Sequence, residues 1–272
     1  MSGLTASALA AALLLTATVA TAQGSIATDR PGFTFNPTVV PAGAFQVEVG
    51  TPQVTRAGFD LPTPQGGTPS SATSTLLNVP TQLRYGVTPR LEARVFSTLY
   101  NSVSYVVEGT APEIDGASGF GDVEVGLKYQ ILTATPGGTP NLSFIPTVVV
   151  PVGETGFSVE DPVVNANVAA GFALPSALSL TVLAGATVPT ADGSNVNANL
   201  AVLAGRSFTP QLSGYVEAAA FPTDGATPLY AGAGLAYLVS PLVQLDAFFD
   251  AGLNDDATDL FAGIGISARF GR

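Results

Sequence analysis

The chain has 272 residues, a formal net charge of -11, and no Cys, His or Trp. Zero cysteine excludes a disulfide framework, a thiol nucleophile and Cys-ligated zinc. Zero histidine removes the usual general base and the usual metal ligand, and the acidic balance excludes the basic footprint that nucleic-acid binding needs. Only 11% of residues are charged, 46% are hydrophobic, and the mean hydropathy is +0.40. That is too apolar for charge-driven disorder. After the N-terminus no run of 18 or more uncharged apolar residues occurs, so helical membrane spans are not supported. High hydropathy without a hydrophobic helix points to a β-barrel, in which apolar and polar residues alternate.

Residues 1–22 have the pattern of a signal peptide. Ala8 to Leu15 is a short apolar core, and Ala20-Thr21-Ala22 supplies the small-x-small cleavage site, so Gln23 would begin the mature chain. The segment lacks the usual Lys or Arg near its start. Residues 23–42 follow as an extended, Pro-interrupted stretch. Its Phe33 and Phe35 are too apolar for a free periplasmic tail, and two readings stand. The stretch is a plug in the barrel mouth, or it packs along the periplasmic rim.

From residue 43 to residue 272 one unit repeats: about ten residues of period-two alternation, then a turn rich in Pro, Gly, Asn or Asp. Ten residues is the length a tilted strand needs to cross a bilayer. Phe45, Val47 and Val49 oppose Gln46 and Glu48; Leu77, Val79, Leu83 and Tyr85 oppose Asn78, Gln82 and Arg84. Leu91, Ala93 and Val95 oppose Glu92 and Arg94; Val123, Val125, Leu127, Tyr129 and Ile131 oppose Asp122, Glu124, Lys128 and Gln130. Four less regular segments follow or intervene, at about 141–151, 162–174, 177–189 and 229–239. Val196, Ala198, Leu200 and Val202 then oppose Asn195, Asn197 and Asn199; Leu212, Val216 and Ala218 oppose Gln211, Ser213, Tyr215 and Glu217. Val243, Leu245, Ala247 and Phe249 oppose Gln244, Asp246 and Asp250, and the last strand sets Ile264, Ile266, Ala268 and Phe270 against Ser267 and Arg269.

The predicted fold is all-β: a closed antiparallel up-and-down transmembrane β-barrel of about twelve strands. Short turns at 87–90, 174–176, 208–210 and 239–241 alternate with longer connections at 55–72, 101–118, 152–161, 190–194, 223–227 and 254–258. That places both termini in the periplasm. A soluble sandwich would also alternate. The charges of both signs in mid-strand, almost all on one face, favour a wet lumen inside and lipid outside.

Three stretches carry a family likeness. The mature part opens with Thr28-Asp29-Arg30-Pro31-Gly32-Phe33-Thr34 and continues through Val40-Pro41-Ala42-Gly43-Ala44-Phe45-Gln46-Val47-Glu48. Gly119-Phe120-Gly121-Asp122 leads into a strand, and Ile145-Pro146-Thr147 through Pro151-Val152-Gly153 forms a proline-flanked one. This resembles the outer-membrane family called putative MetA-pathway of phenol degradation, often labelled "transporter". The family more typically has Asp-Arg-Pro-Asp, and here Gly32 takes the place of the second Asp. The resemblance implies transport of aromatic compounds and carries no catalytic residues.

The candidate lumen-lining residues are Glu48, Arg84, Glu92, Arg94, Asp122, Glu124 and Lys128 on one wall. Asn195, Asn197, Asn199, Glu217, Gln244, Asp246, Asp250 and Arg269 stand on the other. Such charges either select permeating solutes or form an ion-pair network that fills a narrow barrel. The external loops are acidic, with Asp60, Glu108, Glu113, Asp115, Glu154, Glu160, Asp161, Asp192, Asp224, Asp255, Asp256 and Asp259 in or beside them. They would enrich cations at the mouth, hold divalent cations that bridge lipopolysaccharide, or serve solubility alone. The terminal Phe270 resembles the signal read by the barrel-assembly machinery. The expected partners are therefore outer-membrane lipid and lipopolysaccharide, that machinery, and a small-molecule solute; no cofactor, metal or nucleic acid is expected. The function expected is a channel or transporter for small, hydrophobic or aromatic molecules in a Gram-negative outer membrane. The alternative is a non-conducting structural or surface-binding barrel with a filled lumen. An enzyme is not expected, since Lys128, the only lysine, would be the sole base for a Ser-Lys pair.

Overall fold

The computed structural model describes residues 25–61, 70–107, 114–135, 138–191 and 193–271. The expected signal peptide therefore lies outside the described residues. Among those residues thirteen strands follow in chain order. They are β1 (Phe45–Leu61), β2 (Ser70–Thr88), β3 (Leu91–Val107), β4 (Ile114–Gly119), β5 (Val123–Leu132), β6 (Asn141–Val150) and β7 (Val163–Leu174), then β8 (Leu178–Pro189), β9 (Asn197–Ser207), β10 (Leu212–Ala220), β11 (Leu229–Ser240), β12 (Val243–Gly252) and β13 (Leu260–Phe270). All pairings between strands are antiparallel, and β1 pairs with both β2 and β13, so the sheet closes. β4 and β5 lie end to end along β3. Residues Asn101 to Tyr105 face β4, and Leu91 to Ser97 face β5. The two pieces share one position around the wall, which makes a closed barrel of twelve staves.

The barrel is inside-out relative to a soluble protein. Leu127, Tyr129, Leu200, Val216, Leu235, Leu245 and Ile264 point outward and are exposed, while Glu48, Arg84, Glu92 and Lys128 are wholly buried. A sheet that exposes its apolar face and buries its charges is stable where hydrocarbon surrounds it. Closure then leaves no backbone group unpaired in lipid. Girdling aromatics such as Tyr85, Tyr129 and Tyr237 are exposed as well.

Two expectations change. The segments 55–72 and 101–118 do not form simple loops; β1, β2 and β3 run on for 17, 19 and 17 residues. About 9–11 residues suffice to cross, so these strands continue well past the bilayer. The Ser71, Thr73, Ser74 and Thr75 run is polar at almost every position, so it offers no apolar alternation to mark a strand. Backbone pairing with β1 and β3 carries the strand on regardless. The second change is a bulge in β1 between Gly50 and Gln53. One extra residue switches the inward positions from even to odd numbers, and Pro52 falls inside the irregularity, where its missing N–H costs no ladder bond.

Candidate functional site

Residues 26–41 lie inside the barrel. The segment is anchored at the end that carries the short turns. There the Ile26 N–H donates to the Pro241 carbonyl at 2.8 Å, and the Gly43 N–H donates to the Gly86 carbonyl at 2.8 Å. Between these points it rises to an apex near Gly32. Its partners come from β1, β2, β3, β5, β6, β10 and β12, strands on every side of the wall. The segment makes one isolated bridge, Ala42 to Gly86, and joins no strand ladder. Side chains of the wall hold it instead.

One wall carries a dense charge network. The Arg84 guanidinium donates to Glu48 at 2.7 Å and to both oxygens of Glu92 at 2.8 Å. Asp29, on the segment, completes the network. Arg94 and Lys128 each reach its carboxylate at 2.8 Å, and Arg84 lies at 3.7 Å. Glu48 also accepts the backbone N–H groups of Asp29 and Arg30, and Glu92 accepts that of Val40. Arg84 and Lys128 donate to segment carbonyls at Ala27, Thr38 and Asn36. Burial opposes ionisation of Asp29, but Arg84, Lys128 and Arg94 outweigh it and hold its carboxyl well below the usual aspartate range. A depressed native pKa stabilises above the unfolded value, and the contribution is lost as pH falls through the native one. Asp29 is therefore expected to stay ionised at about pH 4, where ordinary aspartates are half protonated. The carboxyl carbon shift of labelled Asp29, followed through a pH titration, checks this.

The opposite wall holds the apex. Glu217 accepts the Phe33 N–H at 2.8 Å, Asp246 pairs with Arg30 at 3.1 Å, and Gln244 donates to the Thr28 hydroxyl at 3.0 Å. Asp250 and Arg269 are buried on the same wall. Asn199 bonds Asn167 and Thr187 in an uncharged network that also includes Asn165, and Asn197 is half-buried beside it. Phe33 packs among Phe221, Tyr230 and Phe261, with ring centroids 5.3–5.9 Å away. Phe35 lies under the Arg94 guanidinium at 4.9 Å. Such contacts add about 0.5–1.5 kcal/mol per aromatic pair beyond burial.

Two residues expected on the lumen wall sit elsewhere. Asp122 falls in the break between β4 and β5 and locks the following loop, accepting from the Val152, Gly153 and Val159 N–H groups and the Ser158 hydroxyl. Desolvation opposes its ionisation, yet these four donors hold its carboxyl below the usual value. Asn195 precedes β9, is exposed, and donates to Asp224 across neighbouring loops at 2.7 Å. Alternation alone extended both strands too far. Glu124 is half-buried and borders a lumen cavity.

Sequence reasoning passed over Asp29 and Arg30 as site residues. The available signal was that they are the sole charged side chains between residues 23 and 44. Gly32 has φ 107°, and a Cβ there would lie 2.6 Å from Glu217 Oε1. An aspartate at this position would set a second carboxylate against Glu217. Gly171 on β7 is a second close approach: a Cβ there would lie 2.7 Å from the Pro37 ring. Gly171→Ala is expected to push Pro37 off the wall at a cost of about 1–3 kcal/mol. Faster proteolysis of the N-terminal segment in the folded barrel is the readout.

Two cavities flank the segment. One, of about 500 Å³, lies toward the turn end against β7–β10 and is bordered by Thr28, Asp29, Arg30, Arg206 and Tyr215. The other, of about 260 Å³, is bordered by Asp29, Arg30, Phe35, Arg94 and Glu124. Asp29 and Arg30 line both. Among the described residues, no group of three or more acidic side chains is arranged to hold a metal ion.

A family model for Putative MetA-pathway of phenol degradation matches residues 28–270. The chain belongs to this family. The match begins at Thr28, so the family includes the inserted segment as well as the barrel. No curated protein matches the sequence. Among solved structures, the COG4313 outer membrane channel from Pseudomonas putida F1 aligns with a TM-score of 0.63 at 13% identity, over 89% of this chain and 99% of that one. The translocator domain of the autotransporter NalP from Neisseria meningitidis aligns with a TM-score of 0.50 at 10% identity, over 85% of this chain and 90% of that one. The fold is that of an outer-membrane β-barrel.

Proposed function

We propose that this family member is a small-molecule channel of the bacterial outer membrane whose lumen is closed by residues 23–42 acting as a plug. One observation carries the reading: Asp29 and Arg30 stand between two lumen cavities and are held mainly by wall side chains, with one long bond of 3.4 Å from Arg30 to the Ile264 carbonyl. A segment fixed by ion pairs and single hydrogen bonds can leave without breaking the barrel ladder. On this reading residues 1–22 are a signal peptide, residues 43–272 are the barrel, and both termini face the periplasm. Lipid and lipopolysaccharide surround it, and the barrel-assembly machinery inserts it. Glu48, Arg84, Glu92, Arg94, Lys128, Glu217, Gln244, Asp246, Asp250 and Arg269 line the route once the plug moves. The cluster of Phe33, Phe221, Tyr230 and Phe261 suits a small aromatic solute, as does the family's description.

The test is single-channel recording in planar bilayers. The full chain is expected to give small or intermittent steps, and a chain lacking residues 26–39 is expected to give steady ohmic steps at least about tenfold larger. An absence of conductance in the shortened chain at every voltage would instead favour a barrel filled by its own side chains.

A further inference from the structure

The cations of the charged wall converge on a group that the wall does not supply. Arg94 Nη2 and Lys128 Nζ lie 2.8 Å from the Asp29 carboxylate and Arg84 Nη1 lies 3.7 Å from it. All three cationic side chains are at most 4% exposed. The wall's own anions in this network are Glu48 and Glu92, both bound to Arg84. Without Asp29, three cations face two carboxylates in a desolvated site, and one positive charge is left over. An unbalanced buried charge is costly. A network serving rigidity alone would be neutral within the wall. Here neutrality depends on a segment that joins no strand ladder.

We propose that Arg84, Arg94 and Lys128 form a binding site for a small monocarboxylate, which Asp29 occupies as an internal stand-in while the barrel is closed. This rests on the reading that the segment can leave. The chemistry follows from the donors: a planar guanidinium and an ammonium reaching one carboxylate make short, charge-assisted bonds. The single uncompensated charge matches a monoanion and leaves a dianion such as sulfate or phosphate overcharged. Access follows from the cavities of about 500 and 260 Å³, which both border Asp29. Removing its side chain opens space that both cavities border. A solute carboxylate crossing the lumen would then meet the three donors midway.

Chemical complementation tests the site. Asp29→Ala keeps the segment and removes the carboxylate, leaving a void of about the size of formate or acetate. Formate or acetate is expected to raise the thermal unfolding temperature of Asp29→Ala in a saturable way, and to leave the unaltered chain unchanged. Acetamide, chloride and sulfate are expected to do neither. No response to the carboxylates, or an equal response to chloride and sulfate, overturns the proposal. Should Asp29→Ala fail to fold, calorimetry on the chain lacking residues 26–39 takes its place. Acetate is expected to bind that chain at least about tenfold more tightly than acetamide, and Arg94→Gln with Lys128→Gln to abolish the difference. Equal binding of the two overturns the proposal. The channel reading fails separately, by absent conductance in the shortened chain whether or not acetate binds.

Discussion

Arg84→Met is expected to cost the folded barrel about 3–5 kcal/mol, the usual penalty for stranding buried charges by removing their partner. Arg84 is wholly buried and serves Glu48, Glu92 and two carbonyls of the N-terminal segment at once. Met fills a similar volume but removes the guanidinium that pairs with Glu48, Glu92 and Asp29. The urea midpoint for unfolding from lipid vesicles should fall accordingly, and the heat needed to abolish the compact form on a detergent gel should drop. Pairing the change with Glu92→Leu is expected to lose less than the two single effects added together, because the second change removes the carboxylate that the first one strands. Strict additivity would show that Arg84 and Glu92 do not act as a unit.

Val216→Arg is expected to cost about 2–4 kcal/mol, the range for a cation at the lipid-facing midplane of a barrel. Val216 sits at the centre of β10, is 61% exposed, and is flanked across the sheet by Ala204 and Ala233. The same change at Phe208, in the turn after β9, is expected to cost no more than about 1 kcal/mol, since the penalty falls off toward the interface. Equilibrium refolding into vesicles measures both. In water an exposed valine tolerates arginine at little cost, so equal and negligible effects at the two positions would contradict a hydrocarbon environment around β10.

These two expectations come from opposite faces of one sheet, and the division between those faces is the part of the fold most legible in the sequence. Eight alternating segments and four less regular ones coincide with the twelve staves, because a period of two assigns each side chain to a face without reference to any other strand. The inward acidic and basic residues of the first strands were identifiable for the same reason. Strand ends were not. Asp122 and Asn195 continue the alternation of β5 and β9 by sequence, yet each is drawn into loop hydrogen bonds. The upper parts of β1, β2 and β3 are interspersed with Ser, Thr, Gly and Asp, which blurs the period of two, most of all at Ser70 to Thr75. Their pairing is fixed by the register inherited from below.

The N-terminal segment marks the boundary between the two kinds of information. Its apolar Phe33 and Phe35 showed that it must be covered, and its composition left open whether the rim or the lumen would cover it. Only the closed barrel decides, because closure brings β3, β5 and β10 around one axis. A single aspartate can then meet Arg84, Arg94 and Lys128 together while Phe33 reaches Glu217 on the far wall. The sequence by itself determined which side chains face lipid and which face inward, since that follows from local backbone geometry. The tertiary structure alone decided which inward charges meet, since that depends on the distance across a closed sheet between residues as far apart as Asp29 and Lys128.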